Sequence, residues 1–395
     1  MTEALSAPSV ARRRAGAVRR VVAAALALAA VAVTPARADA LLDEVVEFAG
    51  TVFFLEVDAP GVVVAAVRDG DSAVFGFGET RAGNGVAPDG DTVLRIGSIT
   101  KAFAGAMLAH AVAAGEVGFT DPVAPLLPGA LGEAAAGRQP IRLVDLATHA
   151  GGLPREVPHA QGPADDPFAP ITHDVFAAWL ADTPLLFRPG SAMLYSNFGF
   201  DLLSAALATA GGKPYETLFR ERIAGPLGMA DTGFAVDAAM AGRLMSGHGF
   251  DGAPLPEVPS GAVITGSGGL RSTANDMVRW MRWHLAGAAT ADMDREVRFL
   301  DHAVYVRRDG LATVSGLDES GRMDGMGLGW VAMNATAERP FMLQKAGALQ
   351  GQMSYLAFAP EHDVGVFVSM NRFDFSAAYA MAGFVNQLVV ELAGG

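Results

Sequence analysis

The chain contains no cysteine, and only three of its 29 basic residues are lysine. The first absence removes disulfide frameworks, thiolate nucleophiles and cysteine metal sites. The second says more. Arg fills the other basic positions, so this sequence uses Arg wherever charge alone is wanted. Arg keeps its proton at any working pH, whereas a buried Lys can release one. Each retained Lys is therefore a candidate for chemistry. Lys101 closes Ser98-Ile99-Thr100-Lys101, and Lys345 opens Lys345-Ala346-Gly347. Lys213, in Gly211-Gly212-Lys213-Pro214, reads as a solvated turn.

Other absences narrow the field. No serine stands in G-x-S-x-G, which excludes the α/β-hydrolase elbow. The eight His show no H-E-x-x-H and no close His/acid cluster, so no metal and no cofactor are expected. His149 and His248 lie in Gly-rich loops and read as structural. Met277, Trp280, Met281 and Trp283 read as packing. The composition, 51% apolar and 18% charged over 395 residues, is that of a globular chain with ample core.

The N-terminus reads as a secretory signal. Arg12, Arg13, Arg14, Arg19 and Arg20 precede an uncharged run from Val21 to Val33, then Pro35-Ala36-Arg37-Ala38. That run is too short to span a bilayer comfortably. The expectation is export, a monomer, and at most peripheral membrane association. Removing residues 1–38 takes away six Arg and one Glu, so the formal charge falls from −13 to −18. A protein so acidic is not expected to bind nucleic acid.

Residues 61–79 read as a hairpin turning at Asp69-Gly70. Residues 98–114 read as a helix stopped by Gly115. Helical patterns continue at 171–180, 198–210 and 273–285, where Thr273 with Asp276 forms a helix-entry box. Strands return at 353–358 and 364–370, and a helix closes the chain at 376–392. The fold class is α/β (α+β): an antiparallel sheet built from both ends of the chain, flanked by helices. The expected division is a signal at 1–38, a sheet domain from 39–115 and 291–395, and a mainly helical domain at 116–290. A site would fall where the two domains meet.

Ser98 and Lys101 are one helical turn apart and share a face. A serine hydroxyl is a poor nucleophile until a base takes its proton, and Lys101 is that base if burial lowers its pKa. Tyr195-Ser196-Asn197 forms a second element. A Tyr beside two ammonium groups can shuttle protons, and the Asn197 amide can both donate to and accept from a substrate backbone. In the third element, Lys345 supplies charge and Gly347 lets a strand approach closely. The N–H groups of Ser98 and Ala348 are candidates for an oxyanion hole. The bland alternatives are a core Tyr on a turn and an exposed Lys before a strand.

Ser-x-x-Lys, Tyr-x-Asn and Lys-x-Gly in this order resemble the serine β-lactamase and penicillin-binding enzymes of class C type. More specific stretches carry the resemblance from about residue 60 to residue 371. They include Leu146 to Pro154, Pro226-Leu227-Gly228-Met229, Gly268 to Thr273 and Gly327-Leu328-Gly329-Trp330. Within that family the chain looks most similar to the periplasmic D-alanyl-D-alanine carboxypeptidase/endopeptidases, through Gly78 to Arg81, Leu153 to Glu156, Phe200 to Leu203 and Gly212 to Tyr215. The resemblance implies a β-lactamase/transpeptidase-like fold with an inserted helical domain. It also implies a serine D,D-peptidase acting on peptidoglycan stem peptides, with β-lactams as further ligands and weak β-lactam hydrolysis.

Two departures stand out. Ala346 occupies a place where the family usually has Thr or Ser, whose hydroxyl helps to bind a substrate carboxylate. Arg372, after the last strand, is the candidate replacement. Glu156 stands where many class C lactamases carry Gln, in the loop that borders the substrate's acyl side chain. It either selects a substrate with a free amine or pairs with Arg155 or another Arg. The competing functions are a dedicated β-lactamase or esterase of the same fold, and a non-catalytic penicillin- or peptidoglycan-binding protein.

Overall fold

A computed structural model describes residues 35–286, 291–318 and 321–394. The expected signal core at 21–33 lies outside them. The first described helix, α1, runs Pro35–Glu56. Two strands follow, β1 (Gly61–Arg68) and β2 (Asp71–Gly78), joined by the expected turn with Asp69 and Gly70 both at positive φ. The other strands of this sheet come from the far end of the chain. They are β3 (Val306–Arg307), β4 (Gly325–Met326), β5 (Val331–Met333), β6 (Met342–Leu349), β7 (Gln352–Ala359) and β8 (Val364–Met370). The eight-stranded order is β2-β1-β8-β7-β6-β5-β4-β3, antiparallel at every pairing. The first hairpin is thus stitched to the last strand, Val64 opposite Val368.

β1 is a run of β-branched and small residues because both of its faces are buried. Val62, Val64 and Ala66 enter one core, while Val63, Ala65 and Val67 enter the other. The first core is closed by α1 and by the last helix, α5 (Phe375–Leu392), with Phe53 stacked on Phe384 at 4.6 Å. α5 is apolar and long enough to cross a membrane, yet Val385, Leu388 and Val389 are spent on the sheet.

The second core lies on the opposite face. There α4 (Ala274–Leu285) sets Met277, Trp280 and Met281 against the strands. The expected boundary at residue 290 therefore falls too late. α4 packs on β1 and β8 and belongs with the sheet, because its strongly one-sided apolar face has the sheet as its partner. Beyond it lies α2 (Thr100–Ala113), mostly apolar around its girth because nearly all of it is buried, with Lys101 among the buried residues. The helical region, including α3 (Asn197–Gly211), packs on α2.

Candidate active site

Ser98 sits in a 3-10 turn, Gly97–Ile99, one step before α2 rather than as its first residue. The turn is pressed against β6. That strand pairs with β5 only through Gln344, so from Lys345 onward its outer edge is left to the Ser98 turn. Gly347 is what permits the approach. A Cβ there would lie 2.0 Å from Ile96 O and 3.0 Å from Ser98 N. Gly97, at φ +51°, would place a Cβ 2.5 Å from Ala348 N. The backbone N–H groups of Ser98 and Ala348 therefore belong to two segments in direct contact.

Lys101 is fully buried, and its Nζ donates three ways: to Ser98 Oγ at 3.1 Å, Asn197 Oδ1 at 2.6 Å and the Ser267 carbonyl at 2.5 Å. Burial pushes its pKa down to about 7, against the opposing pull of Asp201 and Glu156. Asp201 is buried behind it and pushed upward by the same desolvation, while accepting from Ser267 N and Oγ at 3.0 Å each. Lys345 is buried too, and its pKa is lowered to about 8, with Tyr195 partly offsetting the desolvation. Both ammonium groups approach the Tyr195 ring, Lys101 at 4.9 Å and Lys345 at 4.8 Å from its centre.

The Tyr-Ser-Asn segment is tied to the loop at 149–156 by a ladder of hydrogen bonds. Leu194 N donates to His149 O at 3.1 Å, Ser196 N to His149 Nδ1 at 3.0 Å, and Asn197 N to Arg155 O at 2.9 Å. Ser196 Oγ donates to Pro154 O at 2.6 Å. This ladder puts Glu156 against Asn197, whose Nδ2 donates to its carboxylate. Arg155 does not pair with Glu156. Its guanidinium lies 4.6 Å from the Tyr195 ring centre.

Two cavities open from Ser98. One, about 260 Å³, has Glu156, Asn197, Ser267 and Gly268 in its walls. The other, about 300 Å³, has Arg155, Tyr195 and Lys345. Ser98 and Ala348 border both. The structure thus brings Ser98, Lys101, Tyr195, Asn197, Lys345, Ala346, Gly347, Ala348 and Glu156 together. It does not bring Arg372, whose Nη1 donates to Asp58 O at 2.7 Å and pairs with the Asp58 carboxylate. The expectation for Arg372 is corrected: a closer acid holds it.

Sequence reasoning missed the support of His149, Arg155, Asp201 and Ser267. His149 is buried at φ +59° and stacks on Tyr195 at 4.5 Å. Burial and the nearby cations hold its pKa well below the ordinary value, so the neutral ring can accept from Ser196 N. Asp201 could have been flagged as an acid amid Phe200, Leu202 and Leu203. A second correction concerns His284, Asp301 and His302, which folding does cluster. Within the cluster His284 Nδ1 is 2.8 Å from His302 Nε2 and Trp330 Nε1 donates to Asp301 at 2.8 Å, while His284 Nε2 and Asp301 Oδ1 have no hydrogen-bond partner among the described residues. Burial lowers both His, His302 to about 4, and raises Asp301.

A serine, a buried amine of lowered pKa, a Tyr between two ammonium groups and convergent N–H groups compose a set suited to acyl transfer. The chain belongs to the beta-lactamase family, whose profile matches residues 22–389. It is a serine hydrolase. It is similar to the D-alanyl-D-alanine-carboxypeptidase/endopeptidase AmpH of Escherichia coli K12, at 38% identity over 85% of this chain and 86% of that one. It is 24% identical to a beta-lactamase of Pseudomonas fluorescens, over 80% of this chain and 89% of that one. Among solved structures, a beta-lactamase/D-alanine carboxypeptidase from Yersinia pestis complexed with citrate superposes with a TM-score of 0.78. Their identity is 35%, covering 89% of this chain and 98% of that one.

Proposed function

We propose that the protein is a serine D,D-peptidase, a D-alanyl-D-alanine carboxypeptidase/endopeptidase acting on peptidoglycan stem peptides after export to the periplasm. The observation that carries this reading is the 3.1 Å approach of Lys101 Nζ to Ser98 Oγ, by an amine whose pKa burial brings to about 7, so that its neutral form can accept the serine proton. Ser98 Oγ attacks the D-Ala carbonyl carbon, and its proton passes to Lys101. The N–H groups of Ser98 and Ala348 receive the oxyanion. The C–N bond then breaks. Tyr195, held between Lys101 and Lys345, gives its proton to the leaving amine, and the proton on Lys101 passes to Tyr195. Water then attacks the resulting ester as Lys101 takes its proton; the C–O bond to Ser98 breaks, and Lys101 returns the proton to Ser98 Oγ. β-Lactams acylate the same oxygen, and their hydrolysis follows at a lower rate.

Support also comes from the 38% identity to a protein named for this activity. The test is incubation of the mature protein with purified muropeptides, the products identified by mass spectrometry. Loss of terminal D-Ala from pentapeptides and splitting of cross-linked dimers are expected. Unchanged muropeptides beside rapid hydrolysis of simple esters or β-lactams would move the protein to the esterase or β-lactamase reading.

A further inference from the structure

Past Lys345, the 300 Å³ cavity runs on to the first turns of α5 and ends against aromatic side chains. Phe373, Phe375 and Tyr379 border it, and Tyr379 stands one turn beyond Phe375 on the same helix face. Phe250 completes the group, its ring centre 4.8 Å from Phe373 and 5.6 Å from Phe375. Phe373 and Phe375 are 5.3 Å apart. Phe250, Phe375 and Tyr379 are 62%, 63% and 62% exposed. A single exposed ring needs no explanation, but a contiguous exposed group beside a site marks a contact surface.

We infer that this aromatic wall holds the leaving half of a cross-linked stem peptide and so favours endopeptidase cleavage over removal of a single D-Ala. The inference rests on the D,D-peptidase reading, in which the Glu156 cavity takes the acyl side and the opposite cavity takes the leaving side. D-Alanine and the diaminopimelate end both carry a carboxylate beside the leaving amine, so the wall can tell them apart only by what else that carbon bears. In D-alanine it is a lone methyl. In a cross-link it is a run of methylenes with a further peptide behind it, and rings offer much to methylenes. The cavity, about 300 Å³, has room for more than a lone alanine.

The test compares kcat/KM on a cross-linked dimer with that on a pentapeptide monomer for wild type, Phe375→Ala, Tyr379→Ala and the double variant. Phe299→Ala, at a position 75% exposed elsewhere, is the control. Thermal melting of each variant checks that the truncated rings leave the fold intact. The dimer-to-monomer ratio is expected to fall about tenfold in the double variant, through a raised KM for the dimer. A ratio unchanged in the double variant, or equal loss on both substrates, overturns the inference while leaving the peptidase reading in place. Loss confined to intact sacculi, with both soluble muropeptides cleaved normally, assigns the wall to glycan and overturns it likewise. A wild type that cleaves neither substrate overturns the peptidase reading and the inference with it.

Discussion

Asn197 Nδ2 donates to the Glu156 carboxylate, while Asn197 Oδ1 accepts from Lys101 Nζ at 2.6 Å. One amide thus joins the proposed base to an acid in the wall of the 260 Å³ cavity. A carboxylate there favours a substrate carrying a free amine and disfavours anionic acyl groups. Wild type is expected to prefer a stem peptide with the free diaminopimelate amine over one acetylated there. Glu156→Gln is expected to lose that preference. Equal discrimination by both enzymes removes Glu156 as selector.

Lys101→Arg is expected to lower Ser98 acylation at least ~100-fold, the low end for a lost general base. Arg keeps the charge but cannot give up its proton. Stopped-flow acylation by a fluorescent penicillin measures this, and near-normal acylation would remove Lys101 as base.

The two lowered lysine values set a pH profile. Lys101 works unprotonated, so acylation rises as pH climbs through about 7. Lys345 works charged, so the rate falls as pH rises through about 8. A narrow bell between these limits is expected in kcat/KM. A rate flat from pH 5 to 10 contradicts both assignments.

Ala346→Thr restores a hydroxyl on the free edge of β6. KM for a pentapeptide is expected to fall by the worth of one charge-assisted hydrogen bond, about 1.5–3 kcal/mol. With Arg372 bound to Asp58, no arginine from that position covers for the missing group. An unchanged KM means that the carboxylate is held elsewhere.

Gly347→Ala is expected to cost ~100-fold in acylation with the fold retained. Its Cβ would collide with Ile96 O and force β6 away from the Ser98 turn, parting the two N–H groups. Steady-state kinetics beside a thermal melt separates this from unfolding.

Much of the fold was legible because its signals are local. The β-branched run in β1, the Asp69-Gly70 turn and the helix after Ser98 each follow from a few neighbouring residues. The three motifs were legible because scarce lysine marked two of them. The place of α4 was not, since its one-sided apolar face states that a partner exists and not that the partner is the sheet. Arg372 was misjudged for a similar reason: sequence shows a cation near the site but not the Asp58 that captures it. The support of Tyr195 by His149 and Arg155, and of Lys101 by Asp201, depends on contacts across 40 to 100 residues that no local pattern records.

The most direct measurement is the site of covalent attachment. Wild-type protein treated with a β-lactam, digested and mapped by mass spectrometry, is predicted to carry one acyl adduct on the peptide containing Ser98. Ser98→Ala is predicted to carry none. An adduct on another residue, or equal labelling of Ser98→Ala, contradicts the assignment of Ser98 as nucleophile.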